Sequence, residues 1–465
     1  MVQKQILLNA FSMNCVGHIN HGLWTHPDDR STRYVDLDYW TDLAKLLERG
    51  KFDGLFLADV LGAYDIYGGS LDIILKEAVQ LPINDPLLVV PAMAAVTKHL
   101  GFGVTSNVMY EPPFLFARRM STLDHLTKGR VAWNIVTGYL DSAARAMGLA
   151  RQVAHDERYD LAEEYLELVY KLWEGSWADD AVVRDREGRV FARPDRIRKI
   201  AHAGKHFQLD SVHLSEPSPQ RTPVLFQAGS SSRGQDFAAT HAECVFISNQ
   251  SPAGARDIVA TLRDRVAHAG RRREDVKVFM GITVVVAPTD AEARDKYEEY
   301  RRYASPQAGL AHFASATGID FSRFAPDEPI THVRNEAINS AVDAITRRET
   351  GWTVSRLLDQ LALGGRYATV VGSPSTVADA LQGWIRDTDL DGFNLTRTVT
   401  PQSFADFIDL VVPELQDRGA YKTEYAEGTL REKLFPGTGA RLPDTHAAAR
   451  QRYPHEATAG SPRAE

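Results

Sequence analysis

Cysteine is nearly missing from this chain. Only Cys15 and Cys244 occur in 465 residues, too few for a disulfide framework, so a reducing, cytoplasmic setting is expected. Long apolar runs are missing too, and none approaches the ~20 residues that a membrane-spanning helix needs. No basic segment followed by an apolar stretch opens the chain, which argues against a secretory signal. Positive charge is in deficit: 53 Lys and Arg face 61 Asp and Glu, a net charge of −8. The Arg-rich stretches 184–198 and 271–273 alternate with acids and read as solvated faces. Neither nucleic acid nor membrane is therefore expected as a partner, because phosphate binding depends on clustered cations. There is no P-loop, no H-E-x-x-H and no G-x-S-x-G elbow, which leaves nucleophilic hydrolysis with little support. Gly101-Phe102-Gly103 resembles the start of a dinucleotide fingerprint, but its glycines open a strand instead of following one. Cys15, His18, His21 and His26 lack a second ligand pair at zinc-site separation, so no metal is expected.

What is present is an alternation of short β-type runs with longer helical patterns. Strands are expected at 6–10, 54–59, 101–107, 131–137, 224–229, 244–248, 276–286 and 392–395. Helices are expected between them, for example at 39–49, 86–99, 114–126, 159–173 and 253–268. Several strands are apolar throughout, as a sheet covered on both faces requires. Eight such units point to an α/β fold, a closed (β/α)8 TIM barrel, with parallel strands and right-handed crossovers. One domain over residues 1–440 is expected, with insertions near 61–84, 175–221 and 289–370 that are candidates for lids. The last insertion has helical character at 289–303 and 333–347 and is suited to packing against a second subunit. Residues 441–465, rich in Pro, Gly, Ala and Arg, read as an extended or disordered tail.

In such a barrel the chemistry sits at the C-terminal strand ends, and here those ends are polar. The first strand runs through Asn9 into Met13-Asn14-Cys15-Val16-Gly17-His18. Others finish in Leu57-Ala58-Asp59, Thr105-Ser106-Asn107 and Trp133-Asn134-Ile135-Val136-Thr137. The stretch Ala228-Gly229-Ser230-Ser231-Ser232-Arg233-Gly234 joins a strand to a helix beginning near Gln235. Its glycines permit close backbone approach, and its free amides suit a phosphate. The same string also fits a plain serine-rich cap, and Arg233 is equally suited to a structural carboxylate. His155 and Tyr159, four apart, share a helical face from which both reach a phosphate or ring edge. Trp24, Tyr64, Tyr67, Tyr139 and Trp352 are candidates for an apolar pocket or for ordinary packing.

These stretches carry a family resemblance. Asn9-Ala10-Phe11, Asn14-Cys15-Val16-Gly17-His18, Leu57-Ala58-Asp59-Val60, 117–124, Val131-Ala132-Trp133-Asn134, 155–159, 216–221 and Asp391-Gly392-Phe393-Asn394-Leu395 resemble the luciferase-like flavin monooxygenases, in their nitrilotriacetate monooxygenase branch. The likeness runs from about residue 4 to 446. It implies a two-component system, in which a separate NAD(P)H:flavin reductase supplies reduced FMN and the enzyme adds O2 to form a flavin peroxide. Oxygenation or cleavage of a small organic molecule would follow: C–N or C–S cleavage, alkane hydroxylation, or breakdown of riboflavin or another heteroaromatic. By the resemblance Asp59, Thr105, His155, Tyr159 and Ser231 match flavin-binding positions, with Ser231 at the phosphate and Ser230 and Ser232 beside it. Cys15, His18, Tyr64, Gln80, Asn134, His312 and Trp352 match pocket positions of alkane-oxidising relatives. Tyr139 departs from them, standing where they carry a pocket histidine. His18 and Asn134 are expected to hydrogen-bond the flavin, and Tyr139 and His312 to orient substrate or move protons. A homodimer or homotetramer is expected. An F420-dependent hydride-transfer enzyme on the same barrel and a non-catalytic flavin-binding protein are the alternatives.

Overall fold

A computed structural model describes residues 4–229, 231–330 and 352–454. Eight parallel strands close a barrel: β1 (Leu7–Met13), β2 (Gly54–Ala58), β3 (Gly101–Asn107), β4 (Val131–Val136), β5 (Val224–Gln227), β6 (Cys244–Ile247), β7 (Lys277–Val286) and β8 (Gly392–Thr396). Each pairs with the next, and β8 returns to β1 with Leu7 beside Gly392. The expected (β/α)8 architecture is thus the observed one.

Alternation along each strand divides two cores. Outward residues such as Leu8, Leu55, Val104, Trp133 and Val278 pack with the surrounding helices in one large cluster. Inward residues fill the barrel with rings, among them Phe11, Phe56, Phe226 and Phe279. Their centroids lie 5.5 Å apart for Phe11–Phe56 and for Phe56–Phe226, within the usual range for edge-on aromatic packing. Gly281 on β7 is required here, since a Cβ would fall 2.4 Å from the Tyr367 ring. The N-terminal end is plugged by the short helix Leu430–Leu434. Its buried Arg431 ion-pairs with Glu243 at 2.7 Å and donates to the Thr222 carbonyl. That leaves the C-terminal end as the one through which small molecules reach the barrel.

The insertions differ from expectation in position. Helix His155–Gly175 carries the chain from the C-terminal strand ends back to the opposite end. Residues 175–221 therefore begin at the far end, where they form two small hairpins, Val182–Asp185 with Val190–Ala192 and Ile200–Ala203 with Gln208–Ser211. Glu164 on the outer face of that helix anchors the second hairpin, accepting from the amides of His206 and Phe207. This insertion does not form a lid.

Residues 61–84 do reach the open end. They fold against the loop after β1 through the bridges Cys15–Ile83 and Gly17–Val79. The stretch 289–370 is not all insertion either: Ala368–Gly372 is a ninth parallel strand, pairing with the far half of β7. The expected helix 86–99 is broken into a 3-10 turn, Pro86–Val89, and Val90–Ala95, because Pro91 offers no amide to continue the ladder. The expected helix 333–347 lies outside the described residues. Residues 441–454, read from composition as a loose tail, pack instead against helix His155–Gly175. There buried His446 contacts the His241 carbonyl, and the Tyr453 amide donates to the Glu174 carbonyl.

Candidate active site

The strand ends open into a cleft of about 1150 Å³, part of it open to solvent. Asp59, Thr105, Tyr139, His155, Tyr159 and Ser231 all line it. Residues scattered over 170 positions of sequence therefore meet at one face, as the barrel rule requires.

One corner is built for an anion. Ser231 caps helix Ser232–His241, its Oγ accepting from the Gly234 amide at 3.0 Å. The remaining first-turn amides and the helix dipole favour negative charge there. Tyr159 hydrogen-bonds Ser231 and its ring lies tilted at 5.2 Å from the His155 ring, so the four-residue spacing does put both on one face. Gly234 is required at this corner because a Cβ would meet the Tyr159 hydroxyl at 2.6 Å. Two expected donors turn away. Arg233 pairs with Asp160 at 3.0 Å, and Ser232 Oγ accepts from Arg265 at 3.1 Å. Ser230 lies outside the described residues.

Where β3 and β4 meet, Asn134 donates its amide to Thr105 Oγ1 at 2.9 Å. Its carbonyl oxygen is buried and finds no partner among the described residues. His18, in the loop after β1, stands edge-on to Phe11 at 4.6 Å and leaves Nδ1 buried and equally unpartnered. Buried polar atoms are normally satisfied, so such orphans mark a place for a ligand.

A second group adjoins the cleft. Tyr139 reaches the hydroxyl of Tyr64, which donates to Gln80 Oε1 at 2.6 Å. The Tyr64 ring lies 4.9 Å from His312, whose Nδ1 is 3.1 Å from His21 Nε2. Cys15 donates to the Gly17 carbonyl at 3.2 Å. Trp352 stands apart, in an apolar cluster with Leu310, Phe313 and Leu357. Tyr64, Tyr67 and Tyr139 share a cluster, as an apolar pocket requires, and Trp24 is not part of it. His26 faces Tyr300 and Tyr303 instead of the site. Among the described residues no group of His, Cys, Asp or Glu is arranged to hold a metal ion.

Burial dominates the electrostatics. It pushes the Cys15 thiol up to about 12, which disqualifies it as a nucleophile. Burial, reinforced by the charge of Arg397, holds His18 well below its ordinary range and His21 at about 3. Burial also lifts Asp59 to about 7, the Val60 amide opposing and Asp85 adding to the rise. Arg397 itself was not foreseen. It is 3% exposed and donates to the carbonyls of Cys15 at 2.9 Å and Val16 at 2.7 Å. Its position just beyond β8 is the signal that would have found it.

A closed parallel barrel with an anion-ready helix terminus and orphaned polar atoms at its open end defines an enzyme of the large (β/α)8 class. The chain belongs to the luciferase-like monooxygenase family, whose model matches residues 19–390. It is 49% identical to the dimethyl-sulfide monooxygenase of Hyphomicrobium sulfonivorans, over 97% of this chain and 94% of that one. It is also 49% identical to the long-chain alkane monooxygenase of Geobacillus thermodenitrificans, over 97% and 98%. The crystal structures of these two superpose with TM-scores of 0.91 and 0.90. That of a riboflavin lyase with modified FMN and riboflavin gives 0.92 at 38% identity, covering 97% of this chain and all of that one. Among the described residues no helix is long and apolar enough to cross a membrane.

Proposed function

We propose that this chain is the oxygenase of a two-component flavin monooxygenase, taking reduced FMN from a separate NAD(P)H:flavin reductase and using O2 on a small organic molecule. The observation that carries this reading is the meeting, at the single open barrel end, of a capped helix terminus with the orphaned Asn134 carbonyl. The residues fit the cofactor. Ser231, Tyr159 and His155 would hold its phosphate, and Asn134 with Thr105 would meet the edge of its ring system. His18 offers a further unsatisfied nitrogen. When bound, reduced FMN supplies the electrons that activate O2.

The chain supplies position, dryness and proton control. His18, His21 and His312, all held neutral by burial, give hydrogen bonds without bringing mobile protons. The Tyr139–Tyr64–Gln80 chain offers a fixed route for one proton at the edge of the cleft. Segment 61–84, locked to the loop after β1, keeps water from that side.

The two relatives at 49% identity act on a sulfide and on alkanes, so likeness alone does not rank substrates. Tyr139 departs from the alkane-enzyme pocket, which favours C–S or C–N cleavage over alkane hydroxylation, with heteroaromatic breakdown third. A single domain, extended from the expected 1–440 to take in the packed residues 441–454, a cytoplasmic location and a homodimer or homotetramer complete the reading. The test is incubation with a flavin reductase, NADH, FMN and a panel of dialkyl sulfides, aminopolycarboxylates, alkanes and riboflavin under air. Product that requires both O2 and the reductase is expected. Anaerobic turnover with F420 would replace the reading. Flavin binding without any turnover would reduce the chain to a carrier.

A further inference from the structure

A second, narrow pocket, partly open to solvent, lies on the far side of Tyr64 from the cleft. Tyr139 lines the cleft, Tyr64 touches His312, and His312 lines this pocket. Its walls are apolar at Ile19, Phe313 and Leu361, and polar at His21, His312 and Arg366.

Arg366 is the unusual member. It is half-buried and bonds the hydroxyl of its neighbour Tyr367. Its charge is felt at Tyr64, Tyr139 and His312. Among the described residues no carboxylate lies within ion-pair distance of it. On the other side of the His21–His312 pair stands Arg397, also without a carboxylate and satisfied by carbonyl oxygens. Two cations thus flank two neutral imidazoles in a chain whose net charge is −8. A half-buried cation that lines a pocket and has no counter-charge is a ready partner for an anionic ligand. An anion in the pocket would supply the counter-charge that Arg366 lacks, beside His312 and His21.

We infer that this pocket is an anion subsite of the reaction chamber, and that the substrate is an apolar molecule bearing a carboxylate or sulfonate that pairs with Arg366 beside His312. This rests on the reading of the open barrel end as the reaction site. The Ser231 corner holds the cofactor's phosphate, and Arg366 lies beyond Tyr139 and Tyr64, so the anion belongs to the second ligand. A guanidinium gives a carboxylate two parallel hydrogen bonds. The apolar walls select what carries it.

The experiment is calorimetric titration, under argon, of protein loaded with reduced FMN. The probes are octanoate, octane-1-sulfonate and octanamide. Both anions should bind at least about tenfold more tightly than the amide, the order expected for one charge-assisted pair. Arg366→Met should erase that preference while reduced-FMN affinity stays unchanged, and Arg366→Lys should restore part of it. Should Arg366→Met fail to fold, Arg366→Gln carries the same expectation. Equal affinity for acid and amide, preference that survives loss of Arg366, or displacement of reduced FMN by octanoate would each overturn the subsite. Should reduced FMN itself fail to bind, the functional reading falls. Arg366-dependent octanoate binding to the cofactor-free protein would then still support the subsite.

Discussion

Replacing Asp59 with asparagine should stabilise the cofactor-free protein by an amount that grows as pH rises from about 4 to about 7 and is constant above that. The carboxyl is half-buried at the end of β2, and burial raises its pKa from 3.8 to about 7. The unfolded chain releases this proton near pH 4 and the folded chain near pH 7, so folding takes up a proton between them. Below pH 4 both states are neutral and nothing is lost. As pH rises through 7 the folded state must carry a desolvated carboxylate, and the cost reaches its full value. At about 1.4 kcal/mol per pH unit the upper bound is about 4 kcal/mol, and water in the cleft lowers it to about 2 kcal/mol. Asp59→Asn keeps the shape and removes the charge. Urea unfolding at intervals from pH 4.5 to 8.5 should therefore show the variant ahead by about 2 kcal/mol at the alkaline end, converging on wild type at the acid end. A difference that does not change with pH, or a wild type more stable at pH 8, would refute the reasoning.

Four further changes test the site and the loop that supports it. Tyr159→Phe removes one hydroxyl from the Ser231 corner and should weaken reduced-FMN binding about tenfold, a charge-assisted hydrogen bond being worth about 1.5 kcal/mol; unchanged affinity in an anaerobic titration would remove Tyr159 from the phosphate. Gly234→Ala should weaken it as well, because the new methyl occupies the space of the Tyr159 hydroxyl, and an unaltered dissociation constant would show that the corner is not used. His18→Phe should abolish product formation while leaving flavin affinity largely intact, so normal turnover would deny His18 its role. Arg397→Met strands the carbonyls of Cys15 and Val16 and should cost about 2–4 kcal/mol in urea unfolding; a shift below about 0.5 kcal/mol would show that those bonds are dispensable.

Much of the barrel was legible because its signals are local. Apolar β-type runs ending in Asp59, Thr105 or Asn134 announce both a strand and the end at which chemistry sits. The four-residue step from His155 to Tyr159 likewise survives folding unchanged. What stayed hidden depends on where the chain goes. Residues 175–221 look like a lid until helix His155–Gly175 is seen to carry them to the other end of the barrel. Ala368–Gly372 was absorbed into an insertion because a short strand paired outside the barrel looks no different in sequence from any β-branched stretch. Arg397 was missed because its shortest bonds go to the backbone carbonyls of Cys15 and Val16, which leaves its place just beyond β8 as the one hint in the string. Arg233 is the converse: promising as a phosphate donor in the string, it is taken by Asp160 on the neighbouring helix.

Anaerobic titration of the pure protein with reduced FMN, alongside Tyr159→Phe and Gly234→Ala, bears most directly on what the open barrel end holds. One saturable equivalent should bind to wild type, and both variants should bind it more weakly. Absence of saturation, or identical curves for all three proteins, would contradict the assignment of that end to a flavin.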